Sequence, residues 1–199
     1  SDINKLNKHL LSLGFGDKAC IDCFEDDKVF VPEPSWKINK HNFGWFKGDT
    51  VNMGVGQGYL VSTPIQLAKY AYIIANKGKF SDLSLKKDLV KSEKSVEFNK
   101  FSNNDWFKLH ESMINVIEGN TGTARRLKEK KNYIVAAKTG TAELVSGDNR
   151  EQYSETRLDD SLRDHALIIA FGPMPNPRYA VSVVVENGES GGSVAGPVA

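Results

Sequence analysis

The stretch NYIVAAKTGTAEL, from Asn132 to Leu144, decides how this chain reads. Its apolar first half, YIVAA, has the character of a β-strand, and it delivers Lys138, Thr139 and Gly140 to the strand's far part. A K-T-G triplet alone is commonplace, and its plain reading is a strand running into a glycine turn with an exposed lysine. The chemical reading is more demanding. A serine enzyme that transfers an acyl group from an amide needs an activated nucleophile, a proton relay, and donors for the oxyanion and the substrate carboxylate. A K-T-G on a strand edge fills only the third role. Lys138 supplies a compact positive charge, the Thr139 hydroxyl can bind a carboxylate oxygen, and Gly140 removes side-chain bulk beside the strand. The N–H of Thr141 can then face a developing oxyanion.

Two more strands follow in HALIIAFGP and RYAVSVVVEN, with Pro173 to Pro177 as the turn between them. Three sequential strands with short links predict an antiparallel sheet, and three helical segments predict its cover, an α+β fold. Ile3, Leu6, Leu10 and Leu13 recur at helical spacing before Gly14. Thr63-Pro64 is a strong helix start, followed by a largely apolar run that Asn76, Lys77 and Gly78 close. A third helix is expected over 104–118, with Trp106, Leu109, Met113, Val116 and Ile117 inward. The text from Gly16 to Thr50 shows no sustained period and predicts an ordered but irregular excursion, and Lys79 to Lys100 predicts a lysine-rich surface insertion.

With 199 residues, 40% of them hydrophobic and 26% charged, the chain can bury a substantial core. Lysine and arginine total 26 against 25 aspartates and glutamates, so no general field favours a polyanion, and no nucleic-acid partner is expected. No apolar run approaches the roughly 20 residues that span a bilayer. Cys20 and Cys23 form a C-x-x-C without a second pair at metal-finger spacing, so a structural role is preferred to a redox or metal one.

Three further blocks, taken in order, give the triplet its context: GDTVNMGVGQGYLVSTPIQLAKYAYIIANKGKF from Gly48, GNTGTARRL from Gly119, and AAKTGTAE from Ala136. Together they resemble the transpeptidase domain of class B penicillin-binding proteins, especially the elongation-type penicillin-binding protein 2 group. The resemblance runs from LGFGDKACID to the end of RYAVSVVVENG, and its fold is that of the serine β-lactamases and penicillin-binding proteins. It implies that Lys138, Thr139, Gly140 and Thr141 line the substrate cleft, hold the peptide or β-lactam carboxylate, and supply part of the oxyanion hole. It implies equally that Gly54 to Gly58 and the helix from Pro64 are scaffold. The family's S-x-x-K and S-x-N motifs lie upstream of its LGFG and GQG regions. Residues 1–199 are therefore expected to be an incomplete, C-terminal part of one transpeptidase domain, without the nucleophilic serine, its lysine, the S-x-N element or most of the C-terminal helix that GGSVAGPVA begins. Such a piece should expose apolar sheet surface and be poorly stable unless something covers it.

Literal matches to both missing motifs exist, in Ser84-Leu85-Lys86-Lys87 and Ser102-Asn103-Asn104. A lysine that activates a serine must be desolvated and one helical turn away, whereas DLSLKKDLVKSEKS is crowded with solvated charge. Ser102 opens a helix, where serine is an ordinary cap. Both are read as decoys. The scattered His9, His41, His110 and His165 are read as structural, and the pairs Asp26-Asp27 and Asp159-Asp160 as solvated charge.

The resemblance implies a parent protein that cross-links peptidoglycan stem peptides as a serine D,D-transpeptidase, is acylated by β-lactams, needs no cofactor or metal, works with cell-wall elongation proteins, and sits in the periplasm on an inner-membrane anchor. This chain would be inactive alone. Two other readings stay open: a non-catalytic docking or scaffold module using Trp36, Phe43, Trp45 and Phe46 as an apolar patch, or a β-lactamase or D,D-carboxypeptidase of the same fold.

Overall fold

A computed structural model describes residues 2–24, 29–87, 92–96, 101–130, 132–144 and 163–199. Asp26-Asp27 and Asp159-Asp160 lie outside them. The chain divides into two compact units, one of Ser1–Tyr70 with Lys79–Val96, the other of Ala71–Gly78 with Glu97–Ala199.

In the first unit α1 (Ile3–Ser12) starts at Asp2, whose carboxylate accepts from the Asn4 N–H, and buries Ile3 and Asn7. Gly14, at φ +83°, turns the chain out of it, as the sequence implied. The stretch from Gly16 to Thr50 is more regular than its composition predicts, because it holds α2 (Pro34–His41) and α3 (Lys47–Gly54). Pro34 presets the first turn of α2, and Asn42 ends it in the left-handed region at φ 59°. The Asp49 carboxylate caps the Phe46 N–H at 2.7 Å and pairs with the Lys37 ammonium at 2.5 Å. That ammonium lies 4.7 Å from the Phe46 ring and 5.5 Å from the Tyr59 ring. These helices escape periodicity analysis because a charge pair and aromatic rings, instead of aliphatic residues at i and i+4, fill their inner side. Of the four aromatics expected as an exposed patch, Trp36 and Trp45 are half-buried, while Phe43 and Phe46 are exposed.

Helix α4 (Pro64–Ala75) has a reciprocal cap, in which Thr63 Oγ1 accepts from the Gln66 N–H and Gln66 Oε1 accepts from the Thr63 N–H. It closes as expected, with Lys77 and Gly78 at positive φ and the Gly78 N–H donating to the Ile73 carbonyl at 2.9 Å. Strands β1 (Lys79–Phe80) and β2 (Lys94–Ser95) make a short antiparallel pair within the lysine-rich insertion. Cys20 and Cys23 are joined as a disulfide, and Cys20 bridges to Leu83.

Asp82 accepts from Lys69 at 3.0 Å and from Lys94. The Lys94 hydrogen bond holds its carboxyl below the ordinary value of 3.8, against the effect of partial burial and with help from Lys69. For Asp49, burial pushes upward, but the Lys37 and Phe46 N–H contacts outweigh it and the net shift is also downward. A carboxyl with a depressed folded pKa adds stability above its unfolded pKa and loses it as pH falls through the folded one. Melting temperature should therefore drop as pH falls below the ordinary carboxyl value of 3.8, and Asp49→Asn should flatten part of that slope. A melt independent of pH below that value would refute the assignment.

The second unit is built on α5 (Asn103–Glu118) and the sheet β3 (Ala136–Ala142), β4 (His165–Gly172) and β5 (Tyr179–Val185). Ser102 and Asp105 cap α5 reciprocally. The strand order is β3-β4-β5, antiparallel throughout, as the sequence implied. Trp106, Met113 and Ile117 are buried, Leu109 and Val116 half-buried. His110 is buried too, its ring 5.3 Å from Phe171 and its Nε2–H donating to the Ile74 carbonyl at 2.8 Å. The core joins Ile117 and Ala124 to Ala137, Ala166, Ile168, Ala170 and Ala195. Alanine at five of those seven positions lets backbones approach closely. After β5 the chain makes two helical turns, Gly191–Ala195 and Gly196–Val198. A largely apolar hollow of about 590 Å³, walled by Leu127, Val135, Ala137, Ile168, Val181 and Pro197 among others, opens beside the sheet.

Candidate substrate-binding strand

Strand β3 pairs on one side only, with β4, so among the described residues it is a sheet edge. Its register sets Ala137 opposite Ala170, Thr139 opposite Ile168 and Thr141 opposite Ala166. Because strand residues alternate in direction, Thr139 and Thr141 continue the face that Ala137 buries, while Lys138 and Gly140 belong to the other. The four residues singled out in the sequence are thus consecutive on one edge, with both threonines on one side of it.

Lys138 is exposed, and its ammonium donates to the Thr139 carbonyl at 2.6 Å. Thr139 is half-buried, and its hydroxyl lies 2.8 Å from that of Thr123. A Cβ built on Gly140 would meet only Leu167 Cβ, at an ordinary 3.5 Å. Among the described residues nothing demands glycine there, which leaves open space at Gly140. A glycine that the packing does require is Gly191, whose Cβ would lie 2.3 Å from the Leu167 carbonyl oxygen and 2.7 Å from that of Gly140. The turn at 191 therefore lies directly against the β3–β4 main chain.

Sequence reasoning missed Thr123 and Gly191. They lie in GNTGTARRL and GGSVAGPVA, whose contacts cross long stretches of chain and leave no local period to find.

The literal S-x-x-K and S-x-N matches sit in ordinary structural surroundings. The Ser84 hydroxyl donates to the Asp22 carboxylate at 2.8 Å and accepts from the Lys86 N–H at 2.9 Å, in a turn and not a helix. Lys87 is exposed and not on a helix. Ser102 is the α5 cap. His165, which follows Asp164 at the start of β4, accepts from the Asn187 N–H at Nδ1, 3.0 Å, which fits a structural role. No helix among the described residues is long and apolar enough to cross a membrane.

Residues 2–199 match the family described as the penicillin binding protein transpeptidase domain. The chain is 34% identical to the peptidoglycan D,D-transpeptidase MrdA of Acinetobacter baumannii, over 97% of its own length and 30% of that protein's. It is 33% identical to the protein of the same name from Haemophilus influenzae, over 99% of its length and 32% of the relative's. It thus spans about a third of the curated relatives it matches. Among solved structures, PBP2 of Pseudomonas aeruginosa in complex with WCK 5153 superposes with a TM-score of 0.83 at 33% identity, covering 99% of this chain and 42% of that one. PBP2 of Helicobacter pylori in its complex with MreC gives 0.85 at 30% identity, covering 100% and 35%. An α+β unit with a K-T-G on the edge of an antiparallel sheet and a family match over residues 2–199 agree, and the chain belongs to the penicillin-binding-protein transpeptidase-domain family.

Proposed function

We propose that this chain forms the K-T-G wall of the substrate cleft in a peptidoglycan D,D-transpeptidase of cell-wall synthesis. The observation that carries this reading is the edge position of Lys138–Thr141, with both threonines on one face and open space at Gly140. Lys138 provides positive charge at the mouth, the Thr139 and Thr141 hydroxyls receive the carboxylate of a stem peptide or β-lactam, and the Thr141 N–H helps hold the oxyanion. The acyl-enzyme forms on a serine supplied by another part of the protein, since Ser84 and Ser102 are held in a turn and a helix cap. By likeness to the relatives, the whole protein is a periplasmic enzyme on an inner-membrane anchor, and the PBP2–MreC complex of H. pylori supports a cell-wall elongation partner of the same kind.

Intact-mass spectrometry after incubation with a penicillin tests the division of labour. The 199-residue chain, shown folded by circular dichroism, should carry no adduct. The full-length protein should carry one. A stoichiometric adduct on Ser84 of the chain alone would overturn the reading.

A further inference from the structure

We propose that Thr123 is a positioning residue for the substrate-binding strand, acting through the Thr139 hydroxyl; this rests on the reading of Lys138–Thr141 given above. The two hydroxyls are 2.8 Å apart across sixteen residues of sequence, and either could donate in the free protein. A bound carboxylate removes the ambiguity. It has no proton to give, so Thr139 must donate to it, and Thr139 then accepts from Thr123. The Thr123 O–H therefore fixes the rotamer that aims the Thr139 proton outward, and polarises that O–H so that it donates more strongly.

Rotamer control of this kind works only if Thr123 is itself held rigidly, and its backbone is. On one side, a Cβ on Gly122 would lie 2.3 Å from the Val116 carbonyl oxygen, so the loop passes directly over the end of α5. On the other, a Cβ on Gly192 would lie 2.1 Å from the Thr123 carbonyl oxygen. The next residue, Ala124, is buried and donates its N–H to the Val116 carbonyl at 3.0 Å. Thr123 is thus clamped between α5 and the Gly191–Gly192 turn, and the same turn lies against Gly140. One compact arrangement fixes both the strand and the hydroxyl that orients it.

The test is the second-order rate of acylation of the full-length protein by a fluorescent penicillin, together with melting temperature, for Thr139→Val, Thr123→Val, Thr123→Ser and the double valine variant. Thr123→Val should slow acylation by about threefold to tenfold, as expected for loss of one orienting hydrogen bond. Thr123→Ser, which keeps the hydroxyl, should recover the rate to within about twofold. The double variant should be no slower than Thr139→Val, because Thr123 acts only through that hydroxyl. If Thr139→Val itself leaves the rate unchanged, the substrate-strand reading fails and this inference with it. If Thr139→Val is slow while Thr123→Val is normal, the inference alone fails. It also fails if serine does not rescue, if the valine effects multiply, or if the loss simply follows a lowered melting temperature.

Discussion

Replacing Lys138 by alanine in the full-length protein is expected to lower the rate of penicillin acylation by about two orders of magnitude, with little change in melting temperature. The first half of that expectation follows from charge. Lys138 is the one cation of the Lys138–Thr141 edge, and a preorganised donor at a site of developing negative charge is worth about 10²- to 10³-fold in rate when removed. The second half follows from exposure, since its ammonium donates to the neighbouring Thr139 carbonyl and its side chain fills no core space. Lys138→Arg should rescue incompletely, because a planar guanidinium on a longer reach does not replace a compact ammonium. Stopped-flow acylation with calorimetric melts decides the matter, and a loss of less than about threefold would remove Lys138 from the proposed site.

A second large effect is expected at Gly191, and it should be one of stability. The Cβ of Gly191→Ala would sit 2.3 Å from the Leu167 carbonyl oxygen, in the middle of the β3–β4 ladder, where neither atom belongs to a flexible side chain. Either the ladder or the turn must move, at about 3 kcal/mol. Gly44→Ala is the matching control, because a Cβ there meets nothing within 4 Å. Chemical denaturation should separate the two variants clearly, and amide exchange should quicken in β3 and β4 for Gly191→Ala. An unchanged midpoint for Gly191→Ala would refute the packing of the turn on the sheet.

The elements that sequence made legible are those whose signals are local. Thr63-Pro64 starts α4 and Lys77-Gly78 ends it, because caps depend on the chemistry of a few adjacent residues. The Pro173–Pro177 turn separates β4 from β5 at the expected place, for the same reason. Helices α2 and α3 were not legible. Their inner side is held by Lys37 and Asp49, twelve residues apart, and by rings around the Lys37 ammonium, so no apolar stripe marks them. His110 was likewise read as one of four scattered histidines, yet it is buried against Phe171, and only the partner at Ile74 makes that burial tolerable.

For the candidate site the division falls at the same line. Sequence alone determined the edge-strand residues Lys138–Thr141, the antiparallel order that presents them, and the resemblance that gives a three-residue triplet its meaning, because all of these are written in contiguous text and block order. Only the tertiary structure decided that Ser84 is tied to Asp22, that the packing requires glycine at 191, and that Thr123 reaches Thr139. Those outcomes depend on which distant backbones come within a few ångströms of one another, a quantity that no periodicity or motif encodes.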